Sequence, residues 1–489
     1  TPEVVEPALP GFGLHALLLF DADCSPVVLH TTVLGEPRQY ERAGDGTWSS
    51  SVMDDLLAAL GGAPSMLGIV SATTSADGTW LAVVSAAAAG TEHVVHARRA
   101  PAAGSAWTFT VLPAPEAGDV QAWAAAADGS VHAVYTNTAY PCDPCNMDLY
   151  YGRVAAGGSW TTETVQPGRW GDPNDEFAAD ASLAVDEAGA PWIAATFQTR
   201  VITGSLIGSE LRFYGKIGGT WCHETVADHS DGYAGDDGAV FTGVTPQLAL
   251  DGAGRFHVVF GDLSQWHDGL GQANGVPGQA RYAVRAGTAW HLATVFEQPG
   301  RTESAQPLHA FDSPILAVSP DGADVRAAGV ERIWDTDSIY NMEDKTVTLR
   351  LRAIDGAGLV AATVVDVATT RAVTSIAAVR TDDGVLVAWG ETIGGIRQDV
   401  RLLLVHPDGS LGDERFATLG PETGAAPALA AGVSGVLLAY RGGQGLMRGV
   451  RAVPVDASGM PSGTVATIIE TTDDDGDLAI ATNGILVGR

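Results

Sequence analysis

The sequence predicts an all-β protein, a β-propeller of four-stranded blades, most simply eight of them, with seven as the alternative. Three observations predict it. Gly is abundant at 60 of 489 residues, while charged residues make up only 17%, a balance suited to short apolar strands joined by tight turns. A Gly-containing turn that ends at a Trp recurs at Trp48, Trp107, Trp160, Trp221 and Trp290, roughly every sixty residues. Between successive Trp residues the apolar runs divide into four strand-sized pieces, and four short strands per repeat describe a propeller blade better than a sandwich.

Three units show the pattern most fully, and their strands are called a, b, c and d here. The first contains Val131-His132-Ala133-Val134-Tyr135, then Leu149-Tyr150-Tyr151-Gly152-Arg153, then Trp160 to Val165. The next contains Ser182-Leu183-Ala184-Val185-Asp186, Pro191-Trp192-Ile193-Ala194-Ala195, Leu211-Arg212-Phe213-Tyr214-Gly215 and Trp221 to Val226. The third contains Gln247-Leu248-Ala249-Leu250-Asp251, Phe256-His257-Val258-Val259-Phe260, Ala280-Arg281-Tyr282-Ala283-Val284 and Trp290 to Val295. The a–b turns carry Asp and Gly, as in Asp186-Glu187-Ala188-Gly189 and Asp251-Gly252-Ala253-Gly254. The last three units lose the Trp but keep the apolar runs. The units start near residues 11, 63, 115, 167, 227, 297, 368 and 421, within one propeller domain spanning 11–489. Residues 1–10 read as a Pro-rich N-terminal linker. Residues 475–489 read as strands that close the ring against the first unit, which would protect an open edge.

The net charge of −31 repels nucleic acid and anionic membranes, so neither is expected as a partner. No apolar run approaches the ~20 residues needed to span a bilayer as a helix, so membrane insertion is not expected. The four Cys do not make a disulfide framework, although Cys142-Asp143-Pro144-Cys145 offers a small loop closure suited to an oxidising compartment. Secretion, or a periplasmic or cell-surface location, and a monomeric state are expected.

The stretch Ser75-Ala76-Asp77-Gly78-Thr79-Trp80 and the Gly-x-Trp ends of other units resemble degenerate Asp-box repeats. Such repeats, also called BNR-like, occur in sialidase-like propellers and in secreted bacterial propeller proteins. The resemblance covers roughly the first 300 residues and implies a fold, not an activity. A sialidase site needs a cluster of three Arg, a Tyr nucleophile and an acid, and the Arg cluster has no identifiable counterpart, so that activity is not carried over.

With the strands assigned in this way, the long connections are 137–147, 166–181, 199–209, 226–245, 261–279, 297–313 and 331–345. All are d–a or b–c connections of units three to six, which share one face of a propeller, and long loops of this kind are commonly functional. They carry an unusual chemistry. His229, His267 and His309 are three imidazoles from separate loops, with Asp231, Asp268 and Asp312 nearby in sequence. His with a carboxylate partner is the usual arrangement around a transition metal, and three His with an open position suit a water-activating zinc site. The expected metal ligands are His229, His267, His309, Asp231 and Asp228, holding zinc or another divalent transition metal. Asp228-His229-Ser230-Asp231 with Asp236-Asp237 also offers hard oxygen ligands for a structural calcium, without the EF-hand spacing. Asp268 and Asp312 are the candidate catalytic bases. Trp266, Trp334, Tyr233, Trp170 and Arg332 are the candidate substrate-binding residues, the Trp residues for stacking. No Gly-x-Ser-x-Gly elbow and no phosphate-binding loop is present.

Two functions are expected from these residues. The first is a secreted metal-dependent hydrolase of the ester or phosphoester class. The alternative is a carbohydrate-binding or adhesion propeller with structural calcium only. The ligand is a small molecule or a carbohydrate in either case. The other His residues on strands, His132, His223, His257 and His291, read as ordinary strand-face residues.

Overall fold

The structure is a computed structural model. It describes residues 3–4, 16–20, 26–31, 37–42, 48–59, 66–74, 79–88, 91–100, 105–111, 119–126, 128, 130–136, 148–155, 159–168, 174–201, 206–228, 240–267, 273–296, 308–318, 324–335, 343–355, 360–370, 373–393, 397–418, 423–432, 435–444, 447–456, 458–462 and 466–471. Among the described residues the strands form eight antiparallel sheets, taken in strict chain order, each built as a–b–c–d. The fourth sheet is Asn174–Val185, Pro191–Val201, Leu206–Ile217 and Thr220–Ala227. The fifth is Val240–Leu250, Phe256–His267, Ala273–Ala286 and Ala289–Phe296. The sixth is Leu308–Val318, Asp324–Asp335, Glu343–Asp355 and Val360–Thr370. One short helix, Asp54–Ala59, follows the first sheet. The architecture is that of a β-propeller.

In the eighth sheet a fifth strand joins the edge. Glu3–Val4, inside the segment expected as a linker, pairs in parallel with Ala466–Thr471. The expected closing strands at 475–489 lie outside the described residues.

Strand a is the inner strand, and its backbone shows why. Leu248 N donates to Ser182 Oγ at 3.0 Å, and Leu316 N donates to Gln247 Oε1 at 3.2 Å, so strands a of successive sheets touch. An inner edge strand tolerates Pro, which cannot donate to a ladder. Strand a accordingly breaks register opposite the middle of strand b, between Val244 and Gln247, Asp312 and Ile315, and Ala425 and Ala428. Pro246, Pro314 and Pro427 occupy these bulges. In the fourth sheet the same break falls between Ala178 and Ala181 without a Pro.

The cores lie between sheets, and the recurrent Trp of strand d explains how. The Trp221 ring packs edge-on against Tyr151 of the preceding sheet, with centroids 5.2 Å apart. Trp290 packs on Phe213 of its preceding sheet at 5.1 Å, and the Trp107 indole donates to Gln39 of the first sheet. Glu163 on strand d of the third sheet accepts both the Trp221 indole N–H at 3.0 Å and the Lys216 ammonium at 2.5 Å. Arg285 and Glu224 repeat that ion pair one sheet further on. The Gly of the Tyr-Gly pairs is demanded by close ring approach. A Cβ on Gly152 would fall 1.9 Å from the Trp160 ring, and one on Gly215 would fall 2.3 Å from the Trp192 ring.

Candidate functional site on the hairpin face

Much of what reads as loop in the sequence is strand. In the fourth, fifth and sixth sheets, strands a, b and c run on past the end of strand d. The b–c ladder of the fifth sheet reaches His267 opposite Ala273, whereas strand d pairs with strand c no further than Phe296 opposite Ala280. The sixth sheet reaches Asp335 opposite Glu343, against a last c–d pair at Val347 and Thr370. The fourth reaches Arg200 opposite Leu206, against Leu211 and Ala227. Most of 199–209, 261–279 and 331–345 is therefore hairpin, and parts of 166–181, 226–245 and 297–313 are strand a. The physical reason is that each strand b is paired on both sides. Backbone hydrogen bonding then holds an extended chain even where its side chains are polar.

The roots of these hairpins carry a row of arginines at one register. On strand c, the residue after the bulge facing strand d is Arg212 in the fourth sheet, Arg281 in the fifth and Arg350 in the sixth. Arg401 and Arg451 hold the same place in the seventh and eighth sheets. Arg212 pairs with Glu176 from strand a and Glu210 from its own strand, and its guanidinium lies 4.4 Å from the Phe197 ring centroid. Arg281 meets Asp262 at 3.2 Å. Arg350 meets Glu331 at 2.8 Å and Asp366 at 2.9 Å. Arg401 pairs with Glu391 at 2.6 Å and with Glu414. In the fifth, sixth and seventh sheets one partner comes from strand b, two residues beyond the residue facing the Arg: Asp262, Glu331 and Glu391. In the fourth sheet Phe197 takes that place. Sequence reading missed this row. The signal was an apolar–Arg dipeptide in each strand c, hidden because the repeats were aligned on Trp and Gly.

The fourth and fifth sheets are tied together just below their hairpins. Ser209 Oγ donates to Thr242 O at 2.8 Å, and the Thr196 hydroxyl donates to Gly243 O. Thr242 Oγ1 donates to the carbonyl of Asp228 at 3.3 Å. Asp262 lies in this network and is almost wholly buried. Burial pushes its carboxyl up, and the Arg281 guanidinium opposes that rise.

At the opposite ends of the blades, two strand histidines are far from ordinary. His132 and His257 hold one position in strand b, and Trp192 holds it in the intervening sheet. His257 Nε2 donates to Asp251 Oδ2 at 3.1 Å, so its Nδ1 accepts from the Tyr282 hydroxyl at 2.6 Å. Ser130 Oγ donates to Asp128 at 2.6 Å and accepts from His132 Nε2 at 2.8 Å. His132 Nδ1 then accepts from Tyr151 at 2.6 Å. Trp192 Nε1 donates to Asp186 Oδ2 at 3.0 Å. Each ring locks the turn between strands a and b, a structural duty.

The residues expected to form the site fall as follows. His229, Asp231, Tyr233, Trp170 and Asp268 lie outside the described residues. The backbones of Trp266 and His267 end strand b of the fifth sheet, opposite Asn274 and Ala273. His309 and Asp312 are on strand a of the sixth sheet, opposite Ile333 and Val330, and Arg332 and Trp334 are on its strand b. Asp228 is half-buried at the end of the fourth sheet. Among the described residues, no group of three or more His, Cys, Asp or Glu is placed to hold a metal ion.

No family model and no curated protein matches the chain. Several solved structures are similar to it at low identity. An ulvan polysaccharide lyase is 12% identical over 82% of this chain and 95% of that one, with a TM-score of 0.47. An α-L-arabinanase of Penicillium chrysogenum, complexed with arabinobiose, is 15% identical over 70% and 90%, with a TM-score of 0.37. The NanB sialidase of Streptococcus pneumoniae is 9% identical over 88% and 89%, with a TM-score of 0.35. The likeness is one of fold, as the Asp-box resemblance implies. The expectation of a metal-dependent ester or phosphoester hydrolase is corrected here. The similar structures are named as a polysaccharide lyase, an arabinanase and a sialidase, and none as an ester or phosphoester hydrolase.

Proposed function

We propose that this protein is a carbohydrate-binding propeller whose ligand lies on the face bearing the extended hairpins of the fourth, fifth and sixth sheets. The observation that carries the reading is that, among the described residues, the longest strands b and c, of 11 to 14 residues, all belong to three successive sheets. A single specialised cleft needs neighbouring walls of this kind, whereas a multivalent adhesin needs equivalent pockets in every blade. The chemistry suits a hydroxyl-rich ligand. Carboxylates and guanidinium groups line the hairpin roots, and the ends of the hairpins carry Trp266, His267 and Trp334. Vicinal hydroxyls satisfy fixed polar groups, and indole rings stack on the apolar faces of sugar rings. The ligands named for the ulvan lyase and the arabinanase are also carbohydrates.

Affinity electrophoresis through gels containing a panel of polysaccharides tests the proposal. At least one polysaccharide is expected to retard the wild type. A Trp266→Ala/Trp334→Ala variant with unchanged thermal unfolding is expected to migrate freely in it. Free migration of the wild type through every gel would refute the reading.

A further inference from the structure

We infer that the arginine row is a charge filter, so that the hairpin face rejects anionic glycans such as uronate or sulfate polymers. The inference rests on the carbohydrate reading above. Arginine is the side chain best suited to hold a carboxylate or sulfate, through a planar fork of N–H donors. Here the fork is already engaged by the protein's own carboxylates. Arg212 stands between Glu176 and Glu210, Arg350 between Glu331 and Asp366, and Arg401 between Glu391 and Glu414. Each of these guanidinium groups therefore faces two carboxylates. Arg281 meets Asp262 at 3.2 Å.

An incoming anion meets two obstacles at such a cluster. To take over the guanidinium fork it must displace Glu176, Glu210, Glu331 or Glu391, carboxylates that are partly or wholly buried, leaving that charge without its partner. It must also approach a chain whose net charge is −31. Hydroxyl groups meet neither obstacle, because they donate to the outer lone pairs of the same carboxylates. The arrangement recurs at one register in three sheets, two of which bear the long hairpins, so it acts along the face and not at one point. The acidic partners, not the arginines, are the specificity-determining residues.

Isothermal titration of the wild type with matched neutral, uronate and sulfated oligosaccharides reads the filter. Binding of a neutral glycan with no measurable binding of either anionic one is expected, with affinity unchanged between low and high salt. Equal or tighter binding of an anionic glycan, weakened by salt, overturns the inference while leaving the carbohydrate reading intact. Absence of binding to any glycan overturns both. Removing the acidic partners should open the filter. Glu176→Gln/Glu210→Gln releases Arg212 and is expected to raise affinity for the uronate oligosaccharide about tenfold or more. Asp366→Asn, at an exposed carboxyl beside Arg350, provides the same test should the double variant not fold. No gain in uronate affinity in a folded Asp366→Asn protein counts against the filter.

Discussion

His132 shows how one side chain couples this fold to pH. Burial holds its pKa at about 4, well under the ordinary 6.5, because the interior disfavours the imidazolium. A histidine with a lowered folded pKa adds nothing unfavourable above pH 6.5, where it is neutral in both states. As pH falls from 6.5 to 4 the unfolded chain takes up the proton and the folded chain resists it. Stability therefore drops across that window, by about 3 kcal/mol for this group. Urea unfolding at pH 7, 6, 5 and 4 should show this loss, and His132→Phe should flatten the slope. Parallel slopes for the two proteins would contradict the assignment. Gly152 makes a second claim at this scale. Ala there puts a methyl group into the Trp160 ring, and overpacking of this kind costs about 1–3 kcal/mol. Chemical denaturation of Gly152→Ala measures it.

Strands and their turns show what was legible in the sequence and what was not. The b strands Val131–Thr136 and Phe256–Phe260 announce themselves by apolar runs, and the Asp-Gly turns before them by composition. The Trp of strand d supplied the repeat length, because a large ring on the outer strand is needed to reach the preceding blade. The overhangs were not legible. Gly261-Asp262-Leu263-Ser264-Gln265-Trp266-His267 has no apolar alternation, and its extended form comes from pairing with strand a on one side and strand c on the other. That support comes from the assembled sheet, not from local preference. The partners of the strand histidines were equally hidden, since Tyr151 and Tyr282 are brought to them only by b–c register. The expected three-His metal centre drew on segments of which only His267 and His309 have described backbones, on neighbouring sheets. At the same scale, Glu163 joins two blades by accepting from both Trp221 and Lys216. Glu163→Ala should destabilise by about 1–2 kcal/mol, since it leaves a partly buried indole N–H without its acceptor as well as breaking a partly exposed ion pair. A loss no larger than that of an isolated surface pair, as in Arg415 with Asp413, would show that the indole contact is idle.

The whole molecule is uneven around its ring, and that unevenness is the basis of the functional account. Among the described residues eight sheets repeat one plan, yet the longest strands b and c belong to three consecutive ones, above arginines each paired with carboxylates. At the other face the a–b turns of the third, fourth and fifth sheets are locked by His132, Trp192 and His257. A ligand is thus expected on one face and over a limited arc. Hydrogen exchange with and without a bound neutral oligosaccharide tests this most directly. The account predicts slowed exchange confined to the strand b and c overhangs, 198–201 and 206–210 in the fourth sheet, 261–267 and 273–280 in the fifth and 331–335 and 343–349 in the sixth. Slowed exchange at the a–b turns around 126–132 and 251–257, or spread evenly over all the sheets, would contradict it.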